Sequence, residues 1–426
     1  MIRFTIETSI KGSKGRAGTI DTPHGKIQTP AFIPVGTKAT VKSLTPEQVK
    51  SLGADAILAN TYHLYLQPGT EVLKKAGGLG KFMNWSHPTF TDSGGFQAFS
   101  LGPAFGRRLG KIGKEEKPSF SDTSSLPNND GDAQENEESI MAPAKIDDDG
   151  VTFKSVIDGS THRFTPERSI EIQHDIGADI IFAFDECISP QESYTRQKAA
   201  VERTHKWAER CLERHKELKH PKYSALFGII QGGRYEDLRR ESARTIGAMN
   251  FDGFGIGGSF DKEDIGTAVG WVCEELPENK PRHLLGIGEP IDLILGIENG
   301  VDTFDCVAPT RIARNGAAYV SQRGSTSLDL ARWNLAEPAK HPANGRINLL
   351  NAQFISDFTP IESGCACYTC QNYTKAYLAH LFRAKEMLAA TLTSIHNLYY
   401  LVNLVKNARK AIVEGKWNEF KEKTFK

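Results

Sequence analysis

The chain has 426 residues and a formal net charge of zero, with 39% hydrophobic and 24% charged residues. No run of about 18 apolar residues could cross a membrane as a helix, and the start MIRFTIETSIKGSKG lacks the apolar core of a signal peptide, so a cytoplasmic protein with no membrane partner is expected. The zero charge does not exclude nucleic acid, because residues 103–149 hold 11 acids against 6 bases while the stretch from Gln371 onward holds 10 bases against 4 acids.

The first elements have the short alternating pattern of antiparallel strands. RAGTIDTPHGKIQTPAFIPV turns at His24-Gly25 and is expected to form a small sheet that closes the bottom of a larger domain. Next, LTPEQVKSLGADAILANTYH sets Thr45 as an N-cap, Pro46 in the first turn and Gln48 in a capping box; the helix stops at Gly53 and an apolar strand follows. TDSGGFQAFS ends a strand at Asp92 and turns on Gly94-Gly95, where two glycines let the backbone approach a planar ligand; a sharp turn with a capping Asp is the plainer reading.

Residues 103–149 then break the pattern. They are poor in apolar side chains and rich in Ser, Asp, Asn, Glu and Pro, so they are expected to be a disordered acidic insertion.

FTPERSIEIQHDIGADIIFAFDE repeats the earlier plan, with Thr165 as cap and Gly177 as stop. SALFGIIQGG, NFDGFGIGG, RHLLGIGEP and NGVDTFDCV add further apolar runs of strand length. These runs are continuous rather than alternating, which marks parallel strands covered on both faces. Asp92, Asp185, Gln231, Gly258, Glu289 and Asp305 each close or follow such a run. In a closed barrel those ends converge on one mouth, whereas an open sheet would gather only those at one switch point. The expected class is therefore α/β: a (β/α)8 TIM barrel over residues 1–355, with a zinc-binding subdomain and basic helices over 356–426 packed on it. The basic tail is a candidate phosphate-facing surface, or simply a solvated helix with scattered lysines.

Four constellations carry chemistry. Cys365, Cys367, Cys370 and His396 make a C-x-C-x2-C-x25-H set, the donors of a closed structural Zn2+ site; His380 is a weaker rival for the fourth ligand. Asp185 and Gln231, with a glycine N–H, complement the edge of guanine: the carboxylate accepts from ring and exocyclic N–H groups and the amide donates to the ring carbonyl. Asp305 and Asp92 are two carboxylates at one mouth, the usual equipment of glycosyl chemistry, with one attacking the sugar carbon and the other moving protons. Cys306 is a rival nucleophile, but strand alternation turns it to the opposite face from Asp305. Arg311 and Arg314 suit phosphate.

The motifs DSGGFQ, FDEC, GIIQGG, GIGG, GIGEP, TFDCV.PTR..RNG and the Cys3His set together resemble the tRNA-guanine transglycosylase family, from about Phe4 to Phe420 apart from the insertion. The resemblance implies a barrel enzyme, a pentosyltransferase that replaces guanine at wobble position 34 of queuosine-type tRNAs by a 7-deazaguanine base through a covalent enzyme–RNA intermediate. It implies Asp305 as nucleophile and Asp92 as proton acceptor. Base contacts would come from Asp92, Ser93, Gly94, Gly95 and Phe96, then from Asp185, Cys187, Gln231, Gly257, Gly258 and Leu285. RNA contacts would come from Gly286, Ile287, Gly288, Glu289, Pro290, Ile291 and Asp292, and from Thr310, Arg311, Ile312, Ala313 and Arg314. One structural zinc per subunit, a tRNA partner and a homodimer are implied as well. Cys187 matches members of bacterial type, which take 7-aminomethyl-7-deazaguanine rather than queuine. SFDKED after Gly258 and the acidic insertion depart from the family pattern. The alternative is a non-catalytic, zinc-containing tRNA-binding subunit of the same family, against which both aspartates count.

Overall fold

The computed structural model describes residues 2–100, 144–218, 224–258, 265–321 and 345–425. Three strands, β1 (Arg3–Ser9), β2 (Arg16–Thr22) and β3 (Gly25–Thr29), form an antiparallel sheet whose second turn is the expected one at His24-Gly25. The barrel strands follow as β4 (Ala31–Pro34), β5 (Ile57–Ala59) and β6 (Thr89–Thr91). A second antiparallel sheet intervenes: β7 (Lys145–Asp147), β8 (Gly150–Lys154) and β9 (Thr161–Phe164). The barrel resumes with β10 (Ile180–Phe182), β11 (Ala225–Ile230), β12 (Gly253–Ile256), β13 (Arg282–Leu284) and β14 (Thr303–Cys306). A two-stranded sheet, β15 (Ala317–Tyr319) and β16 (Arg346–Asn348), precedes the last helices.

The barrel sheet has eight parallel strands in the order β4-β14-β13-β12-β11-β10-β6-β5. A parallel bridge between Val35 and Leu58 joins its two ends, with Gly36 N donating to Leu58 O at 2.6 Å. The reading of continuous apolar runs holds: all six residues of β11 are buried. Inward-facing side chains, among them Ile33, Leu58, Phe90, Phe182, Phe227 and Leu285, fill the centre, and the outward ones pack under the helices.

A repeated device closes the lower end. Gly53, Gly177 and Gly300 end helix–strand turns with φ of +84°, +75° and +95°, and each stands two residues before an aspartate that leads into a strand. Glycine is favoured there because the left-handed turn has no room for a Cβ. Asp55 then accepts a backbone N–H from Gln28 of the floor strand β3 at 3.0 Å, while Asp179 and Asp302 accept one from the neighbouring barrel strand, from Thr89 and from Arg282, each at 2.8 Å. Asp252, before β12, does the same for Leu226 at 3.0 Å. These four positions introduce every second strand of the barrel, so the recurrent turn and aspartate of the sequence tie it together at its base. Ile20 and Ile27 of the small antiparallel sheet belong to the interior cluster, so that sheet is the expected floor. Arg16 clamps it with a two-pronged pair to buried Asp302 at 3.0 and 2.7 Å.

The expected caps form. Thr45 Oγ1 accepts from Gln48 N while Gln48 Oε1 accepts from Thr45 N, and Thr165 caps the helix Pro166–Ile176.

Two expectations are corrected. The acidic segment lies outside the described residues up to 143, but its end is ordered. Lys145–Asp147 pairs with β8, Asp147 Oδ1 accepts from Asp149 N and Gly150 N at 3.0 and 3.1 Å, and Trp207 Nε1 donates to Asp148 O at 2.7 Å. The run of aspartates that reads as disorder is the cap of a hairpin turn, and Arg163, Arg203 and Arg210 meet it. The basic tail is also not uniformly phosphate-facing. Arg409 donates to the carbonyls of Gly18 and Thr29 and pairs with Glu7 on the floor sheet, and Lys421 pairs with Glu298. Part of that charge excess is neutralised at the closed end of the barrel.

The helix Met387–Val413 packs on β4, on the helix Pro290–Glu298 and on the helix Ala308–Arg314, so it covers the seam between the first and last barrel strands. Its N-terminal part enters a separate apolar cluster with Ala318, Leu349, Leu378, Cys367 and Cys370. Among the described residues, no helix is long and apolar enough to cross a membrane.

Candidate active site and metal centre

Of the strand-end residues singled out in the sequence, all but Glu289 lie at the carboxyl end of a barrel strand, on one mouth; Glu289 stands five residues beyond β13, before the helix Pro290–Glu298. Asp92 follows β6, Asp185 stands three residues beyond β10, Gln231 follows β11, Gly257 and Gly258 follow β12, Leu285 follows β13, and Asp305 lies inside β14.

Asp185 is buried and bonded on both oxygens: Ser93 Oγ donates to Oδ1 at 3.0 Å and Gln231 Nε2 donates to Oδ2 at 2.6 Å. These contacts join three strand ends and keep the carboxylate an acceptor. Glu186, one residue on, turns the other way. Its buried carboxylate pairs with Arg196 and, at 2.6 Å, with Arg203 on the helix Tyr194–Glu217, so it serves packing rather than the mouth. Cys187 is buried beside them.

The glycines have steric reasons. A Cβ on Gly257 would stand 2.7 Å from Gln231 Nε2, and one on Gly258 (φ +104°) would stand 2.5 Å from Arg239 Nη2. Arg239 is fully buried. It donates to Gly233 O at 2.9 Å and Gly257 O at 2.7 Å, and burial brings its pKa down to about 10. It braces the two glycine loops from behind.

Asp92 sits in a nest of donors: Asn60 Nδ2 at 2.5 Å, Thr61 N at 2.7 Å and Gln97 Nε2 at 3.0 Å. Gln97 lies on the short helix Gly95–Ser100 that the DSGG turn begins, and Phe96, half-buried, is on the same helix. Gly94 has φ +76°.

Asp305 and Thr303 face into the barrel, and Phe304 packs outward with Cys306 against the helices, as strand alternation requires. Asp305 Oδ1 accepts from Gly286 N at 2.7 Å and lies 3.0 Å from His283 Nε2. His283 is fully buried between Phe90 and Phe182, with Nδ1 at 2.9 Å from Thr303 Oγ1. Burial pushes the Cys306 thiol up to about 12, so it is protonated at neutral pH and a poor nucleophile.

Of the positions expected to meet RNA, Gly286, Glu289, Pro290, Ile291, Ile312 and Arg314 are half-buried and Arg311 is exposed. Ile287, Gly288, Asp292, Thr310 and Ala313 are buried and can act only through their backbones or by packing. Glu289 pairs with Arg346. Residues 259–264, which follow Gly258, lie outside the described residues.

Asn60, Thr61, Gln97, His283 and Arg239 were not assigned from the sequence. Asn60 ends the strand AILAN, so the strand-end rule could have found it. His283 and Arg239 leave no such trace, because each faces its partner from within an ordinary strand or helix.

Away from the mouth, the ligand atoms of Cys365, Cys367, Cys370 and His396 lie within 4.8 Å of one another. The three sulfurs stand 3.9, 3.5 and 3.3 Å from His396 Nδ1. A tetrahedral zinc with ordinary Zn–S and Zn–N bonds sets S···N at roughly 3.6 Å. His396 Nε2 contacts Tyr319 O at 2.7 Å, which fixes the ring with Nδ1 turned to the sulfurs. The donor set therefore fits a closed metal site. His380, the rival ligand, is exposed on the helix Lys375–Arg383 and outside the cluster.

The family model described as Queuine tRNA-ribosyltransferase matches residues 11–141 and 130–426 of the chain. A protein of that name from Thermoanaerobacter sp. (strain X514) is 44% identical over 428 residues, covering 100% of this chain and 97% of its own length. Proteins of the same name from Herpetosiphon aurantiacus and Streptococcus pneumoniae (strain Hungary19A-6) are 43% and 42% identical, each covering 99% of this chain and 91% and 95% of their own lengths.

Proposed function

We infer that this chain, which belongs to the queuine tRNA-ribosyltransferase family, is a tRNA-guanine transglycosylase, a pentosyltransferase that exchanges guanine at the wobble position for a 7-deazaguanine base. The observation that carries this reading is the pairing of two unlike carboxylates at one mouth. Asp185 is held as a hydrogen-bond acceptor by Ser93 and Gln231, while Asp305 accepts from Gly286 N–H just beyond the end of β13 and meets His283 from inside the barrel. The first suits recognition of a guanine edge and the second suits attack on a ribose carbon.

In the first displacement an Asp305 oxygen bonds to ribose C1′, the C1′–N9 bond breaks with its electron pair going to guanine N9, and that nitrogen takes the proton held by Asp92, which the second displacement restores. The departing base leaves into the pocket of Asp185, Gln231 and the Gly257–Gly258 loop, with Phe96 against its face. In the second displacement N9 of the incoming base attacks C1′, the ester to Asp305 breaks, and the N9 proton passes to Asp92. Asn60, Thr61 N–H and Gln97 hold that carboxylate in place. One glycosidic bond is lost and one is made, so the exchange balances. Water must be kept from the intermediate, since hydrolysis would leave an abasic site. Cys187, buried beside Asp185, matches members of bacterial type, and that resemblance supports 7-aminomethyl-7-deazaguanine over the larger queuine.

Cys365, Cys367, Cys370 and His396 would hold one Zn2+, which joins the cysteine knuckle to the long helix and has no part in the chemistry.

Incorporation of radiolabelled guanine into a tRNA with guanine at position 34 tests the reading. The aminomethyl base should compete more strongly than queuine. A protein that binds the tRNA yet incorporates no base would instead be the non-catalytic partner subunit.

A homodimer belongs to the same proposal, one subunit binding tRNA and the other supporting it. On the metal-binding subdomain Tyr373 stacks on Tyr377 at 5.4 Å and meets Tyr368 edge-on at 5.9 Å, and Tyr368 and Tyr377 are exposed. Exposed aromatic clusters of this kind suit an interface core. Sedimentation at micromolar concentration should give a dimer that Tyr377→Ala weakens; a monomer for the unaltered protein would sink the assignment.

A further inference from the structure

Asn397, next to the metal ligand His396, is fully buried and makes three hydrogen bonds, all to one backbone segment. Its Nδ2 donates to Pro309 O and to Ala317 O, each at 3.0 Å, and its Oδ1 accepts from Tyr319 N at 2.9 Å. His396 Nε2 reaches Tyr319 O at 2.7 Å. Strand β15 therefore has two served edges. One pairs with β16, and the other, carrying the Ala317 carbonyl and both backbone groups of Tyr319, is met by two adjacent side chains of the metal-holding helix.

The third contact, to Pro309 O, falls in the first turn of the helix Ala308–Arg314. That helix leaves the Asp305 strand directly and carries Thr310, Arg311 and Arg314. Asn397 thus grips the helix in its first turn, at Pro309, and the chain just past its end, at Ala317. A buried amide needs such partners, since a buried polar group left unmet loses its hydration with nothing in return. The base pocket, by contrast, is built on the ends of β6, β10, β11, β12 and β13, and among the described residues the hydrogen bonds of Asn397 go to residues 309–319 instead.

We propose that Asn397 is a positioning residue for RNA binding: it ties residues 309–319 to the metal-holding helix and so sets the orientation in which Arg311 and Arg314 meet the tRNA. The inference rests on the reading of Thr310–Arg314 as an RNA contact. The metal centre then does more than fold its own knuckle, because His396 holds the same strand edge. RNA affinity depends on this tether and base affinity does not.

The test uses the full-length, zinc-loaded protein with Asn397→Ala, and Asn397→Ser as the milder variant should the first fold poorly. The readouts are tRNA affinity, KM for tRNA against kcat, affinity for free guanine by calorimetry, and bound zinc. Loss of two or three buried hydrogen bonds should weaken tRNA binding and raise its KM by about tenfold or more, with kcat, guanine affinity and zinc content retained. Unchanged tRNA affinity would overturn the proposal. So would guanine affinity and zinc falling together with tRNA affinity, since that is general destabilisation. Arg311→Ala is the separate control. If it leaves tRNA affinity intact, the RNA reading of this helix fails; if it weakens tRNA and the Asn397 variants do not, only the tether fails.

Discussion

Asp305→Ala is expected to abolish base exchange, with a loss of roughly 10⁴-fold or more, the scale at which removal of a nucleophile leaves only binding and the rest of the site. Covalent capture is the sharper measurement. Enzyme incubated with tRNA and run on a denaturing gel should show an RNA adduct, absent for Asp305→Ala and retained for Cys306→Ala. The contrast follows from the strand itself. Asp305 faces inward, 2.7 Å from Gly286 N, while Cys306 faces the helices with its thiol pushed up to about 12. Burial leaves Cys306 protonated, so it offers no thiolate to the ribose. An adduct formed by the Asp305 variant would remove the nucleophile assignment and leave Cys306 as the stronger candidate.

The second large effect is expected from the metal centre. Chelation, or Cys370→Ser, should lower the unfolding temperature sharply and expose the C-terminal segment to proteolysis. A structural zinc contributes on the order of 10 kcal/mol to the folded state of the segment that binds it. Here the loss would spread, because His396 lies on the helix Met387–Val413, which also covers the barrel seam at β4. Elemental analysis should give one zinc per chain, and His380→Ala should leave that ratio unaltered. A protein that unfolds at the same temperature with and without chelator would refute a structural role for the metal.

Much of the site was legible because its signals are local. A polar residue at the end of an apolar run, a Gly two residues before an Asp, a Thr-Pro cap and a C-x-C-x2-C spacing are short-range patterns, and each reappears in the structure where chain geometry requires it. The carboxylates and the metal ligands stand on such patterns. Charge was the least reliable guide. The aspartates at 147–149 read as solvated disorder and are a turn cap, and the basic tail spends Arg409 on the floor sheet.

The sequence by itself determined the barrel class, the strand-end residues at its mouth and the four metal donors, since covalent spacing and hydrophobic period are enough to specify them. Only the tertiary structure decided which of these groups touch. Gln231 meets Asp185 across 46 residues, Asn60 meets Asp92 across 32, and Asn397 meets Pro309 across 88. His283 and Arg239 acquire their places in the same way. Such contacts are made by closure of the sheet and by helices packing over it, and residues that meet only through closure carry no common mark along the chain.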